Sequence, residues 1–276
     1  MQGKGKGVMR GLIPRSIEQI AAHKVMLEKD GWTFGVNVSF LEIYNESLRD
    51  LLGNNEKGDI KHEIKVGGDG RRTVTNMTVL PIDPSDNAAV EAVLALAAKR
   101  RSTASTDMNA TSSRSHSVFT LSMTAKHDER NKVVRGTLNL VDLAGSERLN
   151  RSNAIGQHAK ETMAINKSLS SLADVFTAIG NKQSHVPFRN SKLTYLLQPA
   201  LSGDGKTCMI VNISPTEASL QESLCSLRFA SKVNQCELGK AKRTIEEAKT
   251  GDKRGNHTMG GNNKSDTASR NVKRKM

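Results

Sequence analysis

Residues 138–150 read LNLVDLAGSERLN. An apolar run ends at an acidic residue, Asp142, and a glycine, Gly145, follows three positions later. Continuous apolar content of this length marks a buried strand. A carboxylate at the end of such a strand holds a metal or a phosphate-bound water. The glycine lets a backbone N–H approach a phosphate closely. The stretch therefore calls for a layered α/β protein with a phosphate-binding loop beside this strand.

A loop of the G-x-x-x-x-G-K-[ST] type would sit between a strand and a helix. The nearest match is Gly205-Lys206-Thr207, but Ala200 stands where the first glycine belongs. The order is also reversed, with a helical pattern before it and the apolar run CMIVNIS (208–214) after it. It reads as a turn entering a buried strand. The opening MQGKGKG has glycines and lysines but no G-K-[ST].

At 276 residues the chain suits one large domain or two small ones. No apolar run is long enough to cross a membrane. Three cysteines without metal spacing point to buried, reduced thiols. The net charge of +13 is uneven: from residue 240 onward 11 Lys/Arg oppose 4 Asp/Glu, so +7 lies in that short end and +6 in the body. Such a balance predicts an acidic partner, whether nucleic acid, anionic membrane or an acidic protein polymer. Residues 249–276 are polar and basic and read as a disordered tail.

Residues 33–44 alternate as a strand, with Phe34, Val36, Val38 and Phe40 on one face. NESLRDLL (45–52) reads as a short helical stretch, and 53–76 as a loop or hairpin. Ser85 is placed to cap a helix through Arg101, with Val90, Val93, Leu94 and Ala97 on its buried face. Residues 117–126 and 137–143 read as strands. Helices are expected over 160–180 and 190–201, and from a Ser219/Glu222 capping box to Cys236. The loop NATSSRSHSVF (109–119) gathers hydroxyls, an arginine and a histidine. Hydroxyls can ligate magnesium and an arginine can latch a carboxylate, although a solvated polar loop has the same composition.

SFLEIYNESLRDLL, NATSSRSHSVF, VDLAGSE, INKSLSSLADV and VPFRNSKLTYLLQPAL occur here in the order found in kinesin motor domains. The chain resembles that family over residues 1–243. FASKVNQCELGKAKR (229–243) further resembles the end of kinesin-14 motors, which sit at the C-terminus and generally move toward microtubule minus ends. The resemblance implies a P-loop NTPase-like fold with a central, mostly parallel or mixed sheet flanked by helices. In the family a G-K-T loop is followed by a Met-x-Gly turn and IPR, which Met1-Gln2-Gly3 and Ile13-Pro14-Arg15 match. The chain is thus expected to start after the phosphate loop and the first strands, with 1–243 the C-terminal part of a motor domain and 244–276 a basic tail.

By the same resemblance, Asn109 and Ser112–His116 match switch I. Ser113 matches the magnesium-linked serine, and Ser112 helps position the attacking water. Asp142, Gly145 and Glu147 match switch II: Asp142 reaches Mg2+ through water, Gly145 N–H senses the γ-phosphate, and Glu147 latches to Arg114. His185, Arg189 and Lys192 fall at tubulin-contacting positions; read without the motif, they form a solvated basic loop. A basic residue common in relatives near 158–159 is replaced here by His158 and Ala159. The resemblance implies ATP and Mg2+ as cofactors and microtubules as partner. It also implies a homodimer or heterodimer through an upstream coiled coil, and a place in the cytoplasm on microtubules or the spindle. Because the phosphate loop is missing, the chain alone is expected to be inactive as an ATPase. Two other readings are a nucleotide-independent microtubule-binding module and a basic nucleic-acid binder. Aromatic content of 3% and the lack of a reader motif speak against the last, and no membrane role is expected.

Overall fold

The computed structural model describes residues 1–3, 7–54, 60–67, 72–103, 113–146, 157–202, 205–238 and 245–247. Asn109, Ser112 and Glu147, the side chains of His158 and Ala159, and the tail 249–276 lie outside them. Three long strands form the frame: β1 (Trp32–Tyr44), β6 (His116–His127) and β7 (Lys132–Asp142). Short strands β2 (Ser47–Asp50), β5 (Leu80–Pro81) and β8 (Ile245–Glu247) complete a six-stranded sheet in the order β2-β1-β6-β7-β8, with β5 also on β1. Strands β3 (Ile64–Val66) and β4 (Arg72–Val74) pair apart from it as a hairpin.

The sheet departs from the parallel or mixed expectation. Every pairing among the described residues is antiparallel. The reason is connectivity: β6 and β7 are joined by the tight turn 128–131, where Asn131 takes φ 49°, and a tight turn can join only antiparallel neighbours. The segment 208–214, expected as a buried strand after a crossover, joins no ladder. Ile210 is 69% exposed and Ile213 54%, and Cys208 is exposed rather than buried.

The 45–52 stretch is a second correction. Asn45 and Glu46 both have positive φ, 48° and 56°, and turn the chain back as a hairpin, so β2 pairs with β1 in place of a helix. Two left-handed residues match the right-handed strand twist, and asparagine tolerates that conformation well.

Helices cover both faces of the sheet. On one side α1 (Leu12–Glu28) and α2 (Asn87–Thr103) bury Ile13, Ile17, Val90 and Ala97 against Val36, Val38, Phe40, Phe119 and Leu121. On the other, α3 (Gln157–Gly180) and α4 (Lys192–Leu201) bury Leu172, Val175, Phe176 and Leu193 against Leu41, Ile43 and Val118. Parity explains the split, since successive strand residues face opposite sides. A last helix, α5 (Leu220–Asn234), packs Phe229 and Val233 against the second core. Two caps differ from expectation. Asp86, not Ser85, accepts from the first turn of α2 through Ala89 N–H at 3.0 Å. Ser219 makes no side-chain cap on α5.

Candidate functional site: the junction of 113–116 with 142–146

The site forms where β6 begins and β7 ends. Gly145 N–H donates to the Ser113 carbonyl at 2.8 Å, tying the two loops together through backbone alone. Beside this tie the Asp142 carboxylate is 42% exposed and lies 3.9 Å from the Arg101 guanidinium. Asp142 also stands opposite Ser117 in the β6–β7 ladder, so its position is set by sheet register.

A buried carboxylate organises the inner side. Glu42, on β1, has no exposed surface. It accepts from Ser115 Oγ at 2.7 Å and from Arg49 Nη1 at 3.2 Å, and Arg101 Nε lies 3.5 Å away. Arg101 also donates to the Ser115 carbonyl and hydroxyl, each at 3.2 Å. One arginine thus bridges the buried Glu42, the loop before β6 and Asp142. A buried charge persists when its hydrogen-bonding capacity is met in this way.

His116 forms the second link. The Ala144 N–H donates to its Nδ1 at 3.0 Å, and Nε2 lies 2.7 Å from Ser168 Oγ on α3. Ser168 in turn donates to the Ile165 carbonyl at 2.7 Å. Burial first, and the Arg101 charge second, hold the imidazole down at about 4, so it is neutral at physiological pH.

The basic face lies where the C-terminal end of α3 leads into α4. His185 and Arg189 are exposed and Lys192 is half-buried at the start of α4. The Arg189 guanidinium lies 5.9 Å from the centre of the Tyr195 ring, and Arg72 lies 4.9 Å from the same ring. Ser191 caps α4 by accepting from Thr194 N–H at 3.1 Å. Glu46 reaches across from the β1–β2 turn to accept from Lys192 N–H at 2.9 Å. The rejected loop, Gly205–Thr207, is a turn in which Thr207 Oγ1 bonds the Ala200 carbonyl at 2.8 Å.

The kinesin motor domain family matches residues 1–236. The chain belongs to the kinesin motor family. Among curated relatives, the kinesin-like protein KIN-14N of Oryza sativa subsp. japonica is 52% identical over 242 residues, covering 86% of this chain and 31% of the relative. Kinesin-related protein 2 of Dictyostelium discoideum is 51% identical over 244 residues, covering 85% and 30%. The chain thus spans about a third of the length of these kinesins. The solved motor domain of Saccharomyces cerevisiae Kar3 superposes with a TM-score of 0.70 at 48% identity, over 82% of this chain and 68% of that one. A Kar3Vik1 motor and motor homology domain fused to a synthetic heterodimeric coiled coil gives 0.72 at 46% identity, over 82% and 58%.

Within the kinesin frame, Ser113, Arg114, Asp142 and Gly145 fall at one junction, while His185, Arg189 and Lys192 share the α3–α4 end. From sequence, Glu42 and Ser168 have no role, His116 is only part of a segment, and Arg101 only marks the end of a helix. The acidic residue inside the apolar run FLEIY and the serines inside the α3 core stripe were the available signals. The junction also suits the family's cofactor. A serine hydroxyl and a half-exposed carboxylate are hard oxygen donors of the kind Mg2+ takes. Among the described residues no cluster of three or more His, Cys, Asp or Glu side chains could hold a metal without added ligands.

Proposed function

We propose that this chain is the switch-bearing and polymer-binding part of a kinesin-14-type, ATP-driven microtubule motor, with residues 1–243 belonging to the motor and 244–276 a basic tail. The observation that carries the reading is the Gly145 N–H bond to the Ser113 carbonyl beside Asp142, which supports a two-loop sensor of bound phosphate. When bound, MgATP supplies the phosphoryl group and the metal charge that stabilises its transfer. Ser113 and Asp142 would hold the metal, the latter through water. Asn109 belongs to the first of the two switch loops, and Ser112 would help position the attacking water. Arg114 and Glu147 would latch the loops together on closure, and the Gly145 N–H would sense the γ-phosphate. Loss of that phosphate releases the loops, the order–disorder device common to nucleotide switches. His185, Arg189 and Lys192 contact the acidic microtubule surface. Partnering with a second motor chain through an upstream coiled coil completes the picture.

A second reading is a nucleotide-independent microtubule-binding module. It is supported by the basic face, where Ser191, Glu46 and the buried Leu193 hold α4 in place. One experiment separates the two. ATP hydrolysis and microtubule co-sedimentation are measured for this chain and for the chain joined to an upstream phosphate loop of a kinesin-14. The motor reading expects turnover only in the joined protein, and its loss in Glu147→Ala with nucleotide binding kept. Normal turnover in Glu147→Ala refutes the switch assignment. Binding without turnover in both proteins favours the module.

A further inference from the structure

We infer that His116 is a positioning residue that mechanically couples the Ala144–Gly145 loop to helix α3 through a neutral imidazole. The bond directions leave one arrangement of protons. The Ala144 N–H donates, so Nδ1 is bare. The ring proton therefore sits on Nε2 and is donated to Ser168 Oγ. The Ser168 proton goes on to the Ile165 carbonyl. This run of three bonds starts at the residue preceding Gly145, whose own N–H is held by Ser113, and it ends inside α3. His116 is 3% exposed, Ser168 1% and Ala144 6%, so water does not compete for these bonds.

The same α3 packs Leu172, Val175 and Phe176 into the second core beside α4 and α5. A displacement of α3 therefore moves Ser168, and through the ring it moves the loop that carries Gly145. Phosphate-dependent movement of that loop runs the other way along the same bonds. The ring–helix coupling stands on geometry alone; its use as a signal between nucleotide and polymer rests on the motor reading above.

The test uses this chain with three substitutions. Ser168→Ala removes the acceptor for Nε2–H, and Ser168→Thr keeps a hydroxyl that can still bond the preceding turn. Ser171→Ala is the control, because Ser171 is also buried in α3 but bonds only the Lys167 carbonyl. Hydrogen exchange of the 138–146 segment is followed for each. Ser168→Ala should speed exchange at Ala144 about 3- to 10-fold, the scale of one lost buried hydrogen bond, with Ser168→Thr within about twofold of the parent. Ser171→Ala should leave the segment unchanged. Equal exchange in Ser168→Ala and parent overturns the coupling, as does acceleration by Ser171→Ala to the same degree. Ring nitrogen NMR should show His116 protonated at Nε2; protonation at Nδ1 also overturns it. Added microtubules should then alter exchange at 138–146 in the parent and not in Ser168→Ala. A parent that fails to bind microtubules refutes the motor reading, while Ala144 exchange still decides the coupling.

Discussion

Glu42 and His116 show how much single residues set at this junction. Glu42 is an ionisable group with no exposed surface, neutralised by Arg49 and Arg101 and hydrogen-bonded by Ser115. Glu42→Ala removes the buried carboxylate that Arg49, Arg101 and Ser115 share, so chemical denaturation should report a loss of about 3–5 kcal/mol, the cost of breaking a buried charge pair. A variant within about 1 kcal/mol of the parent would show the pair to be dispensable. His116 makes a signed prediction. Its folded pKa is lowered from 6.5 to about 4, so the unfolded chain takes up the proton first as pH falls. The stability it contributes is complete above pH 6.5 and drains away between 6.5 and about 4, by up to about 3 kcal/mol. The charged groups facing the ring are Arg101 and, lining the cleft beside it, Arg114 and Glu46. Urea unfolding across that window should show a steep fall for the parent. In His116→Asn, which keeps an acceptor for Ala144, the fall should be shallower; parallel slopes would contradict the assignment.

At the scale of elements, the α3–α4 end carries two kinds of positive charge. Arg189 and Lys192 are fixed: one lies near the Tyr195 ring, and the other begins a helix whose first amides are held by Ser191 and Glu46. The tail 249–276 is a basic segment that composition alone describes. Fixed close pairs are screened less by salt than diffuse attraction, which fades as the Debye length falls to about 3 Å at 1 M. In co-sedimentation with microtubules, deleting 249–276 should weaken binding mainly at low salt and flatten its salt dependence. Arg189→Ala with Lys192→Ala should weaken binding at every salt concentration. If only tail deletion matters, the face assignment fails. Glu46 sets a further dependence, because its carboxylate offsets a strained left-handed backbone by capping α4. Glu46→Gly relaxes that backbone but removes the cap. Stability should change little, while microtubule binding falls if Lys192 is a contact.

For the whole molecule, the open side of β7 is the dominant fact. β7 pairs with β6 along its length, and on its other side Lys132–Val134 pair with β8. Among the described residues no ladder partner covers Gly136–Val141 on that side, and Ile210 and Ile213 of the segment 208–214 lie exposed without a sheet position. Unpaired edges and exposed apolar segments template association. The chain alone should therefore form concentration-dependent oligomers in light scattering and bind a hydrophobic dye. Ile210→Lys with Ile213→Lys should reduce both. A sharp cooperative melt of a dye-free monomer would contradict this.

The long strands, the α2 and α3 faces and the family motifs were legible because each is written in local period. Alternation at 33–44 and helical spacing from Leu169 to Ile179 need no distant partner to be read. The four residues Ser113, Arg114, Asp142 and Gly145 were legible as motif. Their junction was not, since it depends on β6–β7 register placing Ser117 opposite Asp142. The misreadings have the same root. NESLRDLL has helical composition, yet a two-residue turn and pairing with β1 make it a strand. CMIVNIS has strand composition, yet it joins no ladder among the described residues, so Ile210 and Ile213 stay exposed while Met209 packs against the second core. Sequence by itself determined which segments want to be strand or helix and which chemistry they carry. Tertiary structure alone decided the pairing of β1 with β6, the burial of Glu42 and the bond from His116 to α3, because each needs a partner dozens of residues away in the chain.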